Sequence, residues 1–176
     1  MTAQSAEAHL PFRPEGTRPE GTRPVTRLTD ILLVEDSALE VELTLRPLRE
    51  LDPSRTIEVA RDGEEALDFL FARGAFRGRS GAPPPRLILL HLKLPKLDGF
   101  EVLRAIRTNT RTGTTPVVVL TSSDDPRELA QCYQLGANSC VQKPVQFHAL
   151  RATLQAVAHY WLVLSQTPPS PTLPPA

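Results

Sequence analysis

The sequence has few cysteines, no long apolar run and no excess of either charge, and each lack excludes a class of protein. Cys132 and Cys140 are the only cysteines in 176 residues, too few for a disulfide scaffold and without the second pair that a structural zinc site needs. No apolar run approaches the roughly 18 residues that span a bilayer, so a membrane protein is not expected. The 20 Lys and Arg balance the 20 Asp and Glu, which argues against nucleic acid as the main partner.

The start of the chain also lacks a targeting signal. MTAQSAEAHLPF has neither the basic start nor the long apolar stretch of a signal peptide, so we expect a cytoplasmic protein. What is present fits one folded unit: 176 residues correspond to a single domain, and 40% hydrophobic residues are enough to bury a core.

The chain's prolines concentrate at its two edges. Residues 13–24 read RPEGTRPEGTRP, and residues 167–176 read TPPSPTLPPA. The first is a repeat with almost nothing to bury, and the second favours extended polyproline conformation. We therefore expect a flexible leader at 1–28, a folded domain at 29–166 and a proline-rich tail at 167–176.

Inside the domain, five short apolar runs alternate with stretches of helical periodicity. Their richness in Ile, Val and Leu is typical of parallel strands covered on both faces. The repeated strand–helix units predict an α/β domain with a doubly wound, five-stranded parallel sheet. The runs are DILLVE (30–35), TIEVA (56–60), RLILLH (86–91), PVVVLT (116–121) and SCVQK (139–143).

Local signals predict several boundaries. Ser37, with Glu40 three residues later, forms a capping box for the first helix. Pro47 is expected to bend or end that helix early. The segment 74–86, GAFRGRSGAPPPR, is rich in Gly, Pro and Arg and predicts a long surface loop.

In a doubly wound sheet the ligand site lies beyond the carboxyl ends of the strands, which draws attention to Glu35, Asp36, His91, Thr121 and Lys143. Glu35 and Asp36 follow the run ILLV, so two carboxylates emerge together where oxygen ligands can hold Mg²⁺. The alternative is that they cap the following helix, because acidic side chains stabilise its positive end. The two readings stay open at this point.

The other strand ends offer groups that can bind a phosphoryl oxygen. Thr121 can donate a hydroxyl hydrogen bond, although by itself it is only a threonine at the end of a strand. Lys143 is one of three lysines against 17 arginines, and its compact ammonium can reach into a cleft. The peptide bond before Pro144 is a candidate for the cis form.

Together the words ILLVEDS, LILLHLKLPKLDGFEVL, PVVVLTSS and VQKPV resemble the receiver domain of two-component response regulators. They occur in the family's order and at its intervals over about residues 29–164. The longer loop before the third strand and the HYWLVL ending look most like the stand-alone regulators that partner bacterial phytochrome histidine kinases. The resemblance implies a flavodoxin-like receiver fold without a separate output domain.

The same resemblance assigns roles to individual residues. Glu35, Asp36 and the backbone carbonyl of Lys93 would bind Mg²⁺. Lys143 would pair with the phosphoryl group, and Thr121 would be the switch hydroxyl.

The sequence departs from the family at His91, where the family places the aspartate that accepts the phosphoryl group. Imidazole cannot form an acyl phosphate, so ordinary phosphotransfer is not expected. A nitrogen donor is also a poor replacement for oxygen around Mg²⁺. We expect that metal to be bound weakly or not at all, with Mn²⁺, Zn²⁺ or Ni²⁺ as softer candidates. His91 is either a natural change to a phosphate-independent receiver or an introduced replacement, and the sequence leaves both open.

A second departure is Cys140, which stands three residues before Lys143, where the family often has a rotating Tyr or Phe. Without that aromatic ring, the usual link between the phosphoryl site and the output face is weakened or carried differently. We interpret Cys140 as a buried strand thiol without a redox role, because neither an adjacent base nor a resolving cysteine is evident.

The last helix, expected over 146–164, has more apolar residues than are needed to form one apolar face against the sheet. Tyr160 and Val163 fall outside that face and predict a twofold homodimer formed through the last strand and helix. The alternative is a scattered exposed pair. The residues expected to face the sheet are Phe147, Leu150, Leu154, Val157, Trp161 and Leu164.

These observations favour a receiver module in two-component phosphorelay signalling that binds a sensor histidine kinase and is not an enzyme. The alternative is a small metal-dependent α/β enzyme using Glu35, Asp36 and His91. An enzyme needs a substrate pocket, and only short loops surround the strand ends, with residues 74–86 as the one candidate lid.

Overall fold

The computed structural model describes residues 28–166. The predicted tail and all but the last residue of the predicted leader lie outside the described residues. Within the described part, the chain alternates strands and helices as the sequence predicts. The strands are β1 (Ile31–Val34), β2 (Ile57–Ala60), β3 (Leu87–His91), β4 (Val117–Thr121) and β5 (Ser139–Gln142). The α-helices are α1 (Ala38–Leu51), α2 (Gly63–Phe71), α3 (Gly99–Thr108), α4 (Pro126–Gln134) and α5 (Phe147–His159).

The strands form one parallel sheet in the order β2-β1-β3-β4-β5. This confirms the doubly wound α/β architecture. The order reverses between β1 and β3, so the loops after these two strands diverge and leave a crevice at the carboxyl edge.

Two hydrophobic clusters cover the two faces of the sheet because successive strand residues point to opposite sides. In β1, Leu32 and Val34 join one cluster with side chains of α2, α3 and α4. Ile31 and Leu33 join the other with side chains of α1 and α5. The three central strands are therefore apolar on both faces, which explains why their sequences do not alternate.

Pro47, expected to bend or end the first helix, does not end it. The helix runs through it to Leu51 instead of ending early. Pro47 is buried, and its carbonyl accepts a hydrogen bond from the side chain of Gln155 in α5 at 3.3 Å. Packing of α1 on α5 thus outweighs the loss of one backbone hydrogen bond.

The connections also refine the prediction. Residues Gly74–Arg79 form a 3₁₀ helix within the segment predicted as a loop. The ring of Phe76 packs edge-on against Phe69 with 5.3 Å between centroids, so this surface segment is anchored to the core. The prediction of a cis bond before Pro144 is wrong, because the described residues contain no cis peptide bond.

The end of the last helix changes which residues face the sheet. After α5, residues Tyr160–Leu164 continue as a π-helical turn. Leu162 is buried while Leu164 is 62% exposed, because the wider turn shifts the inward face away from the 3.6-residue spacing. Phe147 is also partly exposed. Leu150 and Leu154 are buried as predicted, while Val157 and Trp161 are partly buried.

Candidate functional site

Polar and charged side chains from α1 and from the carboxyl ends of β1, β3 and β5 meet at one edge of the sheet. The parallel register places Val34 beside Leu90, so the next residues along the two strands, Glu35 and His91, come together. Glu35 is only 2% exposed. A carboxylate so deeply buried needs a charged or hydrogen-bonding partner.

Lys143 is that partner. Its ammonium Nζ lies 2.7 Å from Glu35 Oε2 and 3.2 Å from Glu40 Oε2, and its side chain is 6% exposed. It reaches the crevice because β5 ends at Gln142 and the Lys143 backbone N–H donates to the Thr121 carbonyl at 2.7 Å. The lysine that sequence reasoning singled out therefore binds two carboxylates at once.

Glu40 is a site residue that sequence reasoning missed. Its spacing from Ser37 predicts the acidic half of a capping box. The Ser37 side chain does accept from the Glu40 backbone N–H at 3.3 Å, but the Glu40 carboxylate binds Lys143. Its position one turn into α1 is the only sequence signal that could have found it. Ser37 is the N-cap of α1, so Glu35 and Asp36 precede the cap and neither is the capping residue. Besides its bond from Lys143, Glu35 accepts a hydrogen bond from the Ser37 backbone N–H at 3.3 Å.

His91 ends β3 and faces the same cluster. Its Nδ1 lies 3.4 Å from Lys143 Nζ and 3.6 Å from Glu35 Oε2. An ammonium donates hydrogen bonds and accepts none, so a hydrogen bond here requires a lone pair on Nδ1 and places the ring proton on Nε2. The same ring nitrogen faces both the Lys143 ammonium and the Glu35 carboxylate.

Glu35, Asp36 and His91 can each offer a ligand atom within 4.8 Å of the other two. Two oxygens and one imidazole nitrogen suit Mn²⁺ or Zn²⁺ better than Mg²⁺, which prefers oxygen throughout. Lys143 competes with any cation here, because its ammonium already binds Glu35.

The side chains of two residues implied by the resemblance make their contacts outside this cluster. Thr121 ends β4, and its hydroxyl accepts from the Ser123 backbone N–H at 3.0 Å. The Lys93 side chain points toward Glu128 of α4, with 3.8 Å between charged atoms. A ligand role for the Lys93 carbonyl stays a prediction.

Thr121 instead lines a cavity of about 210 Å³ between β4, α4 and β5. Cys140 lines it too and is half-buried, more accessible than the buried thiol expected. Its backbone N–H donates to the Tyr133 hydroxyl of α4 at 3.3 Å. Because Cys140 lines the cavity, a larger side chain at this position would make the cavity smaller.

Comparison with known proteins agrees with this geometry. The model of the response regulator receiver domain matches residues 31–155. The response regulator Rcp1 of Synechocystis is 36% identical over 132 residues, which are 75% of this chain and 88% of Rcp1. The probable methanogenesis regulatory protein FilR2 of Methanothrix harundinacea is 39% identical over 138 residues, which are 78% of this chain and 86% of FilR2.

Solved structures give the same result. The phosphorylated cyanobacterial phytochrome response regulator RcpA superposes with a TM-score of 0.74 at 31% identity, covering 81% of this chain and 99% of RcpA. The Mn²⁺-bound form of Rcp1 has a TM-score of 0.71 at 34% identity, covering 82% of this chain and 99% of Rcp1. These matches confirm the flavodoxin-like receiver fold and do not favour the metal-dependent enzyme. The chain belongs to the response regulator receiver domain family.

Proposed function

We propose that this receiver binds a phytochrome-type sensor histidine kinase in the cytoplasm and acts there by association instead of by forming an aspartyl phosphate. Receiver domains work with sensor histidine kinases, and several similar structures are phytochrome response regulators. Within residues 28–166, no helix has the length and apolar content needed to cross a membrane.

The observation that carries this proposal is His91 at the carboxyl end of β3, beside Lys143 and Glu35. A carboxylate at this place would attack phosphorus as an anionic oxygen, whereas an imidazole forms no acyl phosphate. The positive charge of Lys143 is already paired with two carboxylates. The site therefore has the lysine and the carboxylates of a phosphorylation site but lacks the oxygen that would accept the phosphoryl group.

Kinase binding and phosphotransfer can be separated in one experiment. An autophosphorylated phytochrome-type kinase is mixed with this chain or with His91→Asp, complex formation is measured by interferometry, and transfer by loss of label from the kinase. We expect affinities for the kinase within about threefold of each other, because the substitution changes a side chain that is only 17% exposed. We expect transfer only to His91→Asp. Absence of kinase binding by both proteins would contradict the proposal, as would transfer to the His91 protein.

We propose that the metal site is weak and prefers Mn²⁺, Zn²⁺ or Ni²⁺ to Mg²⁺. The support is its donor set of two carboxylates and one imidazole, together with the competition from Lys143 for Glu35. A divalent ion there would be held by Glu35 and Asp36 and would neutralise charge at the carboxyl edge of the sheet.

We also propose that the protein forms a twofold homodimer through β5 and α5. Tyr160 and Val163 are 53% and 56% exposed, and they lie on the turn that follows α5. Aromatic and aliphatic anchors of this kind carry most of the energy of an interface. Because apolar burial is little affected by salt, the dimer is expected to persist at high ionic strength.

Sedimentation velocity tests the dimer. The full chain should sediment as a dimer at tens of micromolar, the scale of about 6 to 8 kcal/mol of association free energy, and removal of residues 1–27 should leave it unchanged. Tyr160→Ser with Val163→Asp should give a monomer, while the matched change Leu39→Asp, at an exposed apolar residue of α1, should not. A monomeric full chain would reject the proposal, and a dimer unaffected by the double change would place the interface elsewhere.

A further inference from the structure

The only two cysteines of the chain, 8 residues apart by number, are brought together by the fold. Cys132 is fully buried on α4, and Cys140 on β5 packs against the hydrophobic cluster that contains it. Both line the cavity of about 210 Å³ between β4, α4 and β5. The sequence shows no resolving cysteine for Cys140, whereas the fold places Cys132 in the same cluster and the same cavity wall.

The cavity gives small molecules a route to both thiols. Asp124 and Leu129 form part of its wall and are exposed, so the cavity reaches the surface. Ser123, Asp125 and Glu128 add polar atoms to the wall, which is the kind of lining that admits water. A cavity of this volume has room for a molecule as small as hydrogen peroxide.

The surroundings distinguish the two thiols. Burial, followed by the hydrogen bond with Cys140, raises the pKa of Cys132 to about 12. Burial also raises the pKa of Cys140, but there the hydrogen bond from Cys132 acts in the opposite direction. Cys132 is therefore the thiol that stays protonated and donates, and Cys140 is the one that forms a thiolate more readily.

We propose that Cys132 and Cys140 form a reversible intramolecular disulfide that joins α4 to β5. The Cys140 thiolate attacks one oxygen of hydrogen peroxide, breaks the O–O bond and releases hydroxide, which leaves a sulfenic acid on Cys140. Cys132 sulfur then attacks Cys140 sulfur and expels hydroxide, which takes up the thiol proton as water. In total, two thiols lose two electrons and two protons, and one peroxide becomes two waters.

Such a bond would change the part of the molecule that carries Thr121. The disulfide would fasten α4 to β5 along the inner wall of the cavity that Thr121 also lines. It would leave the charged cluster of Glu35, Glu40 and Lys143 untouched, since neither cysteine contributes to it. The receiver would then have an oxidant-sensitive site distinct from the charged cluster.

The test counts thiols in the full chain, where only these two exist. The reduced protein is treated with hydrogen peroxide, denatured, alkylated with N-ethylmaleimide and weighed intact. We expect no adducts, a mass lower by about 2 Da for the two hydrogens lost, and return of both adducts after dithiothreitol. Two adducts remaining after a treatment that fully oxidises dithiothreitol in a parallel sample would overturn the proposal.

Single variants provide the control. Cys140→Ala and Cys132→Ala each keep one thiol and cannot form the internal bond, so they should resist the 2 Da loss under the same peroxide treatment. Oxidation of the wild-type chain to a sulfinic acid on Cys140, or to a disulfide-linked dimer on a non-reducing gel, would also overturn the proposal. Because the wild-type thiol count decides the matter, a variant that fails to fold does not affect the outcome.

Discussion

The carboxyl edge of the sheet has two halves, and the space beyond the strand ends is filled differently in each. On the β1–β3 side, Glu35, Glu40, Lys143 and His91 fill the crevice with mutually compensating groups. On the β4–β5 side, an open cavity of about 210 Å³ separates Thr121 from α4. Lys143 follows β5 but binds residues on the far side, so the charged half is held together by a residue from the open half. Ion pairs therefore fill the space in one half, whereas the other half keeps an open cavity.

The largest effect is expected on phosphorylation, from a substitution of His91 at the end of β3. This chain should acquire no stable acyl phosphate from radiolabelled acetyl phosphate, whereas His91→Asp should be labelled, because only the carboxylate supplies an accepting oxygen. The label is measured on gels with and without hydroxylamine, which cleaves acyl phosphates. Cys140→Ala, a change confined to the open half, serves as a control and should remain unlabelled.

Two kinds of label on the His91 protein would have different meanings. Hydroxylamine-sensitive label would contradict the prediction directly. Label that is lost in acid but resists hydroxylamine would indicate a phosphohistidine on His91 and would show that the charged half can position a nitrogen nucleophile.

The next effect concerns stability. Lys143→Met should lower the free energy of unfolding by about 3 kcal/mol, because Glu35 would keep a buried charge without its nearest partner. Urea unfolding at neutral pH measures the loss. Arg151→Met, which breaks the exposed pair with Glu50, is the matched control and should cause no measurable change.

A second substitution tests the cause of that loss. Adding Glu35→Gln to Lys143→Met removes the uncompensated charge and should restore most of the lost stability. If the double variant is as unstable as Lys143→Met, then lost packing of the lysine stem, instead of the buried charge, explains the effect.

A smaller effect is expected in metal binding. Calorimetric titration at alkaline pH, where imidazole is a neutral ligand, should show Mg²⁺ binding roughly tenfold weaker in this chain than in His91→Asp, because nitrogen replaces an oxygen donor. Mn²⁺ should be affected less. Equal or tighter Mg²⁺ binding with His91 in place would refute the weak-site interpretation.

Much of this molecule could be predicted from sequence because its signals are local. The apolar runs located all five strands to within one residue at each end. The order of the motifs then brought Glu35, Asp36, His91 and Lys143 to one edge, since the carboxyl ends of parallel strands must meet there.

What sequence reasoning missed depends on packing between distant elements. Pro47 stays helical because α1 packs on α5. The Glu40 carboxylate binds Lys143, which lies 103 positions later in the chain. The meeting of Cys132 with Cys140 has the same origin. The spacing of residues along the chain does not predict such contacts, because they depend on how the helices and strands pack together.

The smallest expected effect tests the open half. Tyr133→Phe removes the hydroxyl that accepts the Cys140 backbone N–H on the outer strand of the sheet. Because Tyr133 is half exposed and water can replace the hydroxyl, global stability should fall by less than about 1 kcal/mol. The local readout is sharper: hydrogen exchange of the Cys140 amide should accelerate several-fold, while the amides of β1 and β3 keep their protection. Equal acceleration across all strands would mean that Tyr133 supports the whole sheet, and the division of the carboxyl edge into two halves would then be wrong.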